Sequence, residues 1–130
     1  MKDQLRAWLL QATLAAARAR EAGAGEADAD EVKEAAAYLY YNAAAVAKAF
    51  GQHTEALEYY KKSLAIKREM LGERHPSTAG SYEGMALVFT DQGKHAEALE
   101  YYEKSLAIRR EVLGERHADT AATYNNMALV

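Results

Sequence analysis

Apolar residues recur at spacings of three and four along most of the chain, which is the pattern of amphipathic helices. The first such stripe consists of Leu5, Trp8, Leu9, Ala12 and Ala16. It predicts one helix over residues 1–21, and a linker of glycine, alanine and acidic residues follows over 22–30. The hydrophobic pattern therefore points first to an all-α protein.

Capping signals in the later chain predict five more helices. Asp28 and Glu31 have the spacing of a capping box, so we expect the second helix to begin near residues 29–31 and to end before Gly51. Pro76 suits the first turn of another helix, where its missing N–H costs nothing. The remaining helices are expected over residues 54–71, 77–91, 96–113 and from 118 onwards.

A long internal repeat organises these helices. Residues 53–88 return as residues 95–130 with 26 of 36 positions identical, at a step of 42. A fixed period of this size is typical of stacked helical repeats, in which each unit buries its apolar face against its neighbours. Each position therefore has a counterpart 42 residues away, and residues kept in both copies are expected to pack.

The packing residues of the two long repeated helices follow from this register. They are small or aromatic side chains on one helical face. In the first copy they are Ala56, Tyr59, Tyr60, Ser63, Leu64 and Ile66, and in the second Ala98, Tyr101, Tyr102, Ser105, Leu106 and Ile108.

Composition narrows the possible functions. Half of the 130 residues are hydrophobic, one is proline, and the net charge is −3. No clustered basic face points to nucleic acid, and no apolar run reaches the ~20 residues that span a bilayer. The absence of cysteine excludes disulfides, thiolate metal sites and thiol catalysis.

The repeated positions also resemble those of a known family. The clearest copy has Tyr82, Met85, Ala86 and Phe89 in a first helix and Gly93 in the turn. Its second helix and ending supply Ala98, Tyr102 and Ser105, then Leu113, Gly114, Glu115, Arg116 and His117. These residues resemble the tetratricopeptide repeat in its 42-residue form, similar to the repeats of kinesin light chain and nephrocystin-3-like proteins.

The resemblance implies an all-α solenoid of antiparallel helix hairpins with about six helices. It divides the chain into five parts. They are a capping helix over 1–21, a linker over 22–30, one repeat over 31–72, a second over 73–114, and the first helix of an incomplete third repeat over 115–130.

Four histidines and a repeated Glu-Arg-His string are the candidates for chemistry. His53, His75, His95 and His117 occur twice per repeat on different layers, too far apart for the ~2 Å contacts that zinc requires of all its ligands. The string at 73–75 and 115–117 suggests either an acid–base cluster or hydrogen bonding within a loop. Because it recurs in both copies, we favour the loop, and we expect no metal, no cofactor and no catalytic residue.

Basic residues on the long helices allow two interpretations. Glu100 and Lys104, like Glu58 and Lys62, have the favourable i,i+4 orientation for ion pairs. A solvated, salt-bridged outer face is the interpretation we favour, and binding of an acidic partner is the alternative.

A partner-binding surface is expected on the concave side implied by the resemblance, where first-helix residues vary between copies. The candidates are Tyr41, Asn42, Ala45 and Lys48, then Glu83, Leu87, Thr90 and Asp91, and finally Asn125, Asn126 and Leu129. The resemblance implies a non-catalytic, cytoplasmic scaffold that binds a protein or peptide segment. The alternative is a self-assembly or sensor-arm module whose open C-terminal helix pairs with another copy, and a polar surface without a partner is a third interpretation.

Overall fold

Five α-helices make up the part of the chain that the structure describes. The structure is a computed structural model, and it describes residues 26–130 and the single residue Gln4. The helices are α1 (Glu26–Ala49), α2 (His53–Leu71), α3 (Pro76–Asp91), α4 (His95–Val112) and α5 (Ala118–Ala128). Residues 26–130 contain no strand, and the predicted all-α class is confirmed. The helix expected over 1–21 lies outside the described residues, apart from Gln4.

Helix boundaries agree with the sequence except at α1. The starts of α2, α3, α4 and α5 fall within one residue of their predicted positions. The prediction for α1 was wrong, because the helix begins at Glu26 and includes residues 26–30 of the expected linker. Alanine and glutamate lose little conformational freedom in a helix, so this stretch extends the helix beyond the capping signal at Asp28.

The described residues form two compact units, which divide between Ile66 and Lys67. In the first unit α1 packs against the part of α2 that precedes Lys67. The rings of Tyr41 and Tyr60 meet edge-on at 5.6 Å, and the Ser63 hydroxyl donates to the Ala37 carbonyl at 2.9 Å. The buried apolar side chains are small, apart from Tyr60 and Leu64. They are Ala37, Ala43, Ala44, Ala47, Ala56, Tyr60 and Leu64.

In the second unit α3, α4 and α5 share one core. Ala86, Ala98 and Tyr102 form a buried cluster. Leu87 and Phe89 of α3, Tyr101 of α4, Met127 of α5 and Val130 after α5 pack against it. Tyr102 is 1% exposed, which confirms its predicted place in the core, whereas Tyr59 and Tyr101 are only half-buried.

Candidate partner-binding surface

The two histidines of the Glu-Arg-His string cap helices. His75 Nδ1 accepts a hydrogen bond from the Ser77 backbone N–H at 3.0 Å, and His117 Nδ1 accepts one from the Asp119 N–H at 3.0 Å. A side chain that accepts from the first helical turn satisfies a donor that has no partner within the helix. Among residues 26–130 no group of three His, Cys, Asp or Glu side chains is placed to hold a metal ion.

The glutamates of the string bind neighbouring side chains. Glu115 accepts from the Tyr124 hydroxyl at 2.6 Å and from Arg110 Nε at 2.7 Å. The hydrogen bond from Tyr124, followed by that from Arg110, lowers the pKa of the Glu115 carboxyl. The same arrangement occurs 42 residues earlier, between Arg68, Glu73 and Tyr82.

In that earlier copy, burial and the bond to Glu73 raise the pKa of Tyr82 to about 12. The interpretation of this string as a hydrogen-bonded loop is therefore confirmed in both copies.

Several of the basic residues have partners on their own unit. Lys104 Nζ lies 3.8 Å from Glu100 and 4.8 Å from the centre of the Tyr101 ring. Lys67 Nζ donates to the Ser77 carbonyl at 3.2 Å, and burial lowers its pKa. The predicted Glu100–Lys104 ion pair is confirmed, and the salt-bridged interpretation accounts for it.

The candidate residues of the first unit lie on α1. Tyr41 is half-buried against Tyr60, and burial together with the neighbouring Tyr41 raises the pKa of Tyr60 to about 12. Asn42 and Lys48 are half-buried, and Ala45 is exposed. This face therefore offers an aromatic edge, an amide and a cation.

The candidates of the second unit divide into surface and packing residues. Asp91 and Asn125 are exposed, and Leu129 is 80% exposed. Leu87, by contrast, packs against the buried cluster around Tyr102. Thr90 is half-buried and its hydroxyl donates to the Ala86 carbonyl of its own helix at 2.9 Å. Asn125 on α5 and Leu129 at its C-cap, four residues later, present accessible polar and apolar groups.

Glu83 and Asn126 are joined in a polar cluster that connects three helices. Asn126 Nδ2 donates to Glu83 Oε1 at 2.8 Å. The other carboxylate oxygen of Glu83 accepts from Arg109 Nη1 and lies 3.3 Å from the Thr123 hydroxyl. Arg109 Nη1 also donates to Thr123 Oγ1 at 2.7 Å. Glu83 and Arg109 are each 13% exposed, so the pair is mostly buried but reaches the surface.

Sequence reasoning did not place Arg109 or Thr123 at this surface. Neither residue was among the candidates that the sequence pattern identified. Glu83 is replaced by Tyr41 and Arg109 by Lys67 at the corresponding positions of the earlier copy. These two differences do not identify a contact, because Lys67 keeps the positive charge of Arg109 and the sequence does not show which helices bring the two positions together.

Comparison with known proteins agrees with this architecture. The sequence profile of the tetratricopeptide repeat matches residues 34–110 and 77–130. The chain belongs to the tetratricopeptide repeat family. Repeats of this family generally mediate protein–protein interaction, and the family is typically non-catalytic.

Solved structures share the fold with these tetratricopeptide repeats. BtubC (BKLC) from P. vanneervenii is 22% identical, with a TM-score of 0.67 over 98% of this chain and 56% of its own. A kinesin light chain-like protein of Podosopora anserina with nearly identical TPR-like repeats is 23% identical, with a TM-score of 0.64 over 93% of this chain and 64% of its own. A single-substitution variant of that protein gives the same identity and TM-score over 99% of this chain and 66% of its own.

This repeat array spans a little over half to two thirds of the length of those solved chains. Among curated proteins no match was found. In residues 26–130 no helix has both the length and the apolar character that crossing a bilayer requires.

Proposed function

We propose that this protein is a scaffold that binds a partner segment on the first-helix surface. In the first unit this surface comprises Tyr41, Asn42, Ala45 and Lys48 on α1. In the second unit it comprises Glu83, Leu87, Thr90 and Asp91 on α3, Asn125 and Asn126 on α5, and Leu129 at the C-cap of α5. The proposal includes a cytoplasmic location, which cell fractionation tests.

The observation that supports it most is the contrast between packing and surface positions. Tyr60 and Tyr102, which correspond across the repeat, are both buried. The first-helix position three residues before Ala44, Ala86 and Ala128 is instead Tyr41, Glu83 and Asn125 in successive copies. Residues shared by both repeats are explained by stacking, whereas first-helix residues that differ between repeats are the better candidates for recognition.

The chemistry of α5 indicates what a partner would offer. Asn125 presents an amide that both donates and accepts, four residues before the exposed Leu129. Side chains four apart lie on the same helical face. This pair suits an extended segment that supplies backbone hydrogen bonds and one apolar side chain.

Selection of peptides from a random display library tests the proposal. The parent protein should enrich a family of sequences, and Leu129→Ala combined with Asn125→Ala should weaken binding of those peptides about tenfold or more. Both residues are exposed, so the fold should be unaffected, and circular dichroism checks this. Val112→Ala, which removes a 47% exposed side chain from α4, is the matched control and should leave binding unchanged. An equal loss of peptide binding in the double variant and in the Val112→Ala control would contradict the proposal. So would a selection that enriches no family of peptide sequences.

Self-association is a second candidate, favoured by the exposure of α5. Tyr124 is 39% exposed, whereas its counterpart Tyr82, whose ring lies 6.2 Å from the Tyr101 ring of α4, is 4% exposed. An exposed apolar face of this kind favours association. Light scattering coupled to gel filtration should then show a dimer that Leu129→Glu returns to a monomer. A parent protein that stays monomeric at high concentration would exclude this candidate.

A further inference from the structure

Two residues that the repeat assigns to packing are exposed on this protein. Valine recurs at positions 46, 88 and 130, and leucine at 87 and 129, in each case at a step of 42. Val88 is fully buried, and Leu87 and Val130 pack against the buried cluster of the second unit. By contrast, Val46 on α1 is 40% exposed, and Leu129 at the C-cap of α5 is 80% exposed. Val46 and Leu129 are therefore packing residues that a further protein surface can cover.

The second unit shows how these two positions meet when they are covered. Leu87 lies on α3 and Val130 follows α5, and both pack against the same cluster. Leu129 corresponds to Leu87 one step later, and Val46 corresponds to Val130 two steps earlier. The contact between one first helix and the next thus has two matching halves, of which Leu129 carries one and Val46 the other.

A pair of polar positions repeats this correspondence. Glu83 of α3 accepts a hydrogen bond from Asn126 of α5 at 2.8 Å. The counterpart of Glu83 one step later is the exposed Asn125, and the counterpart of Asn126 two steps earlier is the half-buried Asn42. An amide both donates and accepts, so two asparagines can form the hydrogen bond that glutamate and asparagine form in the second unit. Neither asparagine is charged, so this pairing brings no like charges together.

We propose that the surface formed by Asn125 and Leu129 in one copy binds the α1 surface formed by Asn42 and Val46 in a second copy. The two surfaces then make the contact that α3 and α5 make within the second unit. A contact between two different surfaces is not self-limiting, because each added copy brings both surfaces with it. The association is therefore head-to-tail, and the dimer expected for self-association is the first member of a series. This inference rests on the self-association candidate and deepens it, since it names the surface that α5 binds.

Blocking the two surfaces in separate variants tests the head-to-tail contact. Val46→Glu blocks the α1 surface and Leu129→Glu blocks the α5 surface, so light scattering coupled to gel filtration should show each variant alone as a monomer. The average mass of the parent should rise with protein concentration beyond that of a dimer. An equimolar mixture of the two variants keeps one intact pair of surfaces, so it should form a dimer and nothing larger.

Val112→Glu is the matched control, because it places the same charge at a side chain of α4 that is 47% exposed. It should associate as the parent does, and circular dichroism checks that all three variants fold. A Val46→Glu variant that dimerises by itself would overturn the head-to-tail contact in favour of pairing between two α5 helices, and the self-association candidate would stand. A mixture that stays monomeric, or a parent that is monomeric at every concentration, would also overturn the inference.

A charge exchange covers the possibility that Val46→Glu does not fold. Asn42→Asp combined with Asn125→Asp places two carboxylates at every contact, so the dissociation constant should rise about tenfold or more. Asn42→Lys combined with Asn125→Asp gives every contact one charge of each sign and should restore association. Equal dissociation constants in the two double variants would overturn the pairing. No foreign peptide enters these measurements, so their failure would leave peptide binding by the first-helix surface untouched.

Discussion

Two positions that correspond across the repeat, Tyr41 and Glu83, show how nearly identical units acquire different surfaces. Tyr41 of the first unit places its ring edge-on to the Tyr60 ring, and its environment is aromatic. Glu83 of the second unit binds Arg109 and Asn126, and its environment is ionic. The positions that pack remain the same between the copies, so stacking leaves the neighbouring surface positions free to differ.

The largest expected effect tests whether the shared packing residues are equivalent. Tyr60 is 3% exposed and Tyr102 is 1% exposed. Changing either to alanine should lower the free energy of unfolding by about 3–5 kcal/mol, because it removes a buried ring and leaves a cavity. Chemical denaturation followed by circular dichroism measures this. A large loss of stability on changing one tyrosine and none on changing the other would show that the two units pack differently.

The next effect concerns the ionic environment of Glu83. We expect a double-mutant cycle with Glu83→Ala and Arg109→Ala to give a coupling of about 1–3 kcal/mol, because each single change leaves a mostly buried charge without its partner. The pair Arg74–Glu111, whose side chains are 74% and 46% exposed, is the control and should couple by between 0 and about 1 kcal/mol. Equal coupling in the two pairs would show that burial does not strengthen the Glu83 contact.

A smaller effect separates two corresponding serines, both fully buried. Ser63 donates to the Ala37 carbonyl at 2.9 Å, whereas the Ser105 hydroxyl has no hydrogen-bond partner among the described residues. Ser63→Ala should lower the free energy of unfolding by about 1 kcal/mol, because it removes this hydrogen bond. Ser105→Ala should leave the free energy of unfolding unchanged or raise it, since it removes a buried polar group that makes no hydrogen bond. Thermal unfolding of the two variants measures the difference. Equal losses would mean that Ser105 makes a hydrogen bond in solution.

The smallest effect is on the titration of Glu115. The Tyr124 hydroxyl is the main cause that lowers the pKa of this carboxyl, and Arg110 adds to it. Tyr124→Phe should therefore move the Glu115 pKa up toward its ordinary value, which carbon-detected NMR titration measures. Because the folded-state pKa is lowered, this contact stabilises the fold above the unfolded-state pKa of glutamate, and its effect is lost as the pH falls through the folded value. Tyr124→Phe should reduce that acid dependence, leaving the part due to Arg110. An unchanged Glu115 pKa would contradict the assignment.

Much of the fold was predictable because helix patterning is local. The apolar spacing and the turn glycines predicted the starts of α2, α3, α4 and α5 within one residue. The start of α1 was not predictable from the Asp28 capping signal, since the surrounding alanines favour helix on both sides of it. Burial was predicted for Tyr102 but overestimated for Tyr101, whose half-buried ring stacks on Phe89 at 5.4 Å.

The candidate site was predictable in part. The register identified candidate first-helix positions, and Asn125 and Leu129 among them are exposed. It did not predict that Thr90 would bond to its own helix or that Leu87 would pack against the core. Those outcomes depend on how far each helix turns about its axis, which a spacing of three or four residues leaves uncertain.

The amino-acid sequence by itself determined the helices, their 42-residue register and the residues that pack, because these follow from short-range periodicity repeated in two copies. The tertiary structure alone decided the polar partners. Glu83 meets Arg109 and Asn126 across separations of 26 and 43 residues, and a charged side chain has many candidate partners at such distances along the chain. Only the packing of α3, α4 and α5 brings these atoms within hydrogen-bond reach, since hydrogen bonds and ion pairs act over a few ångströms.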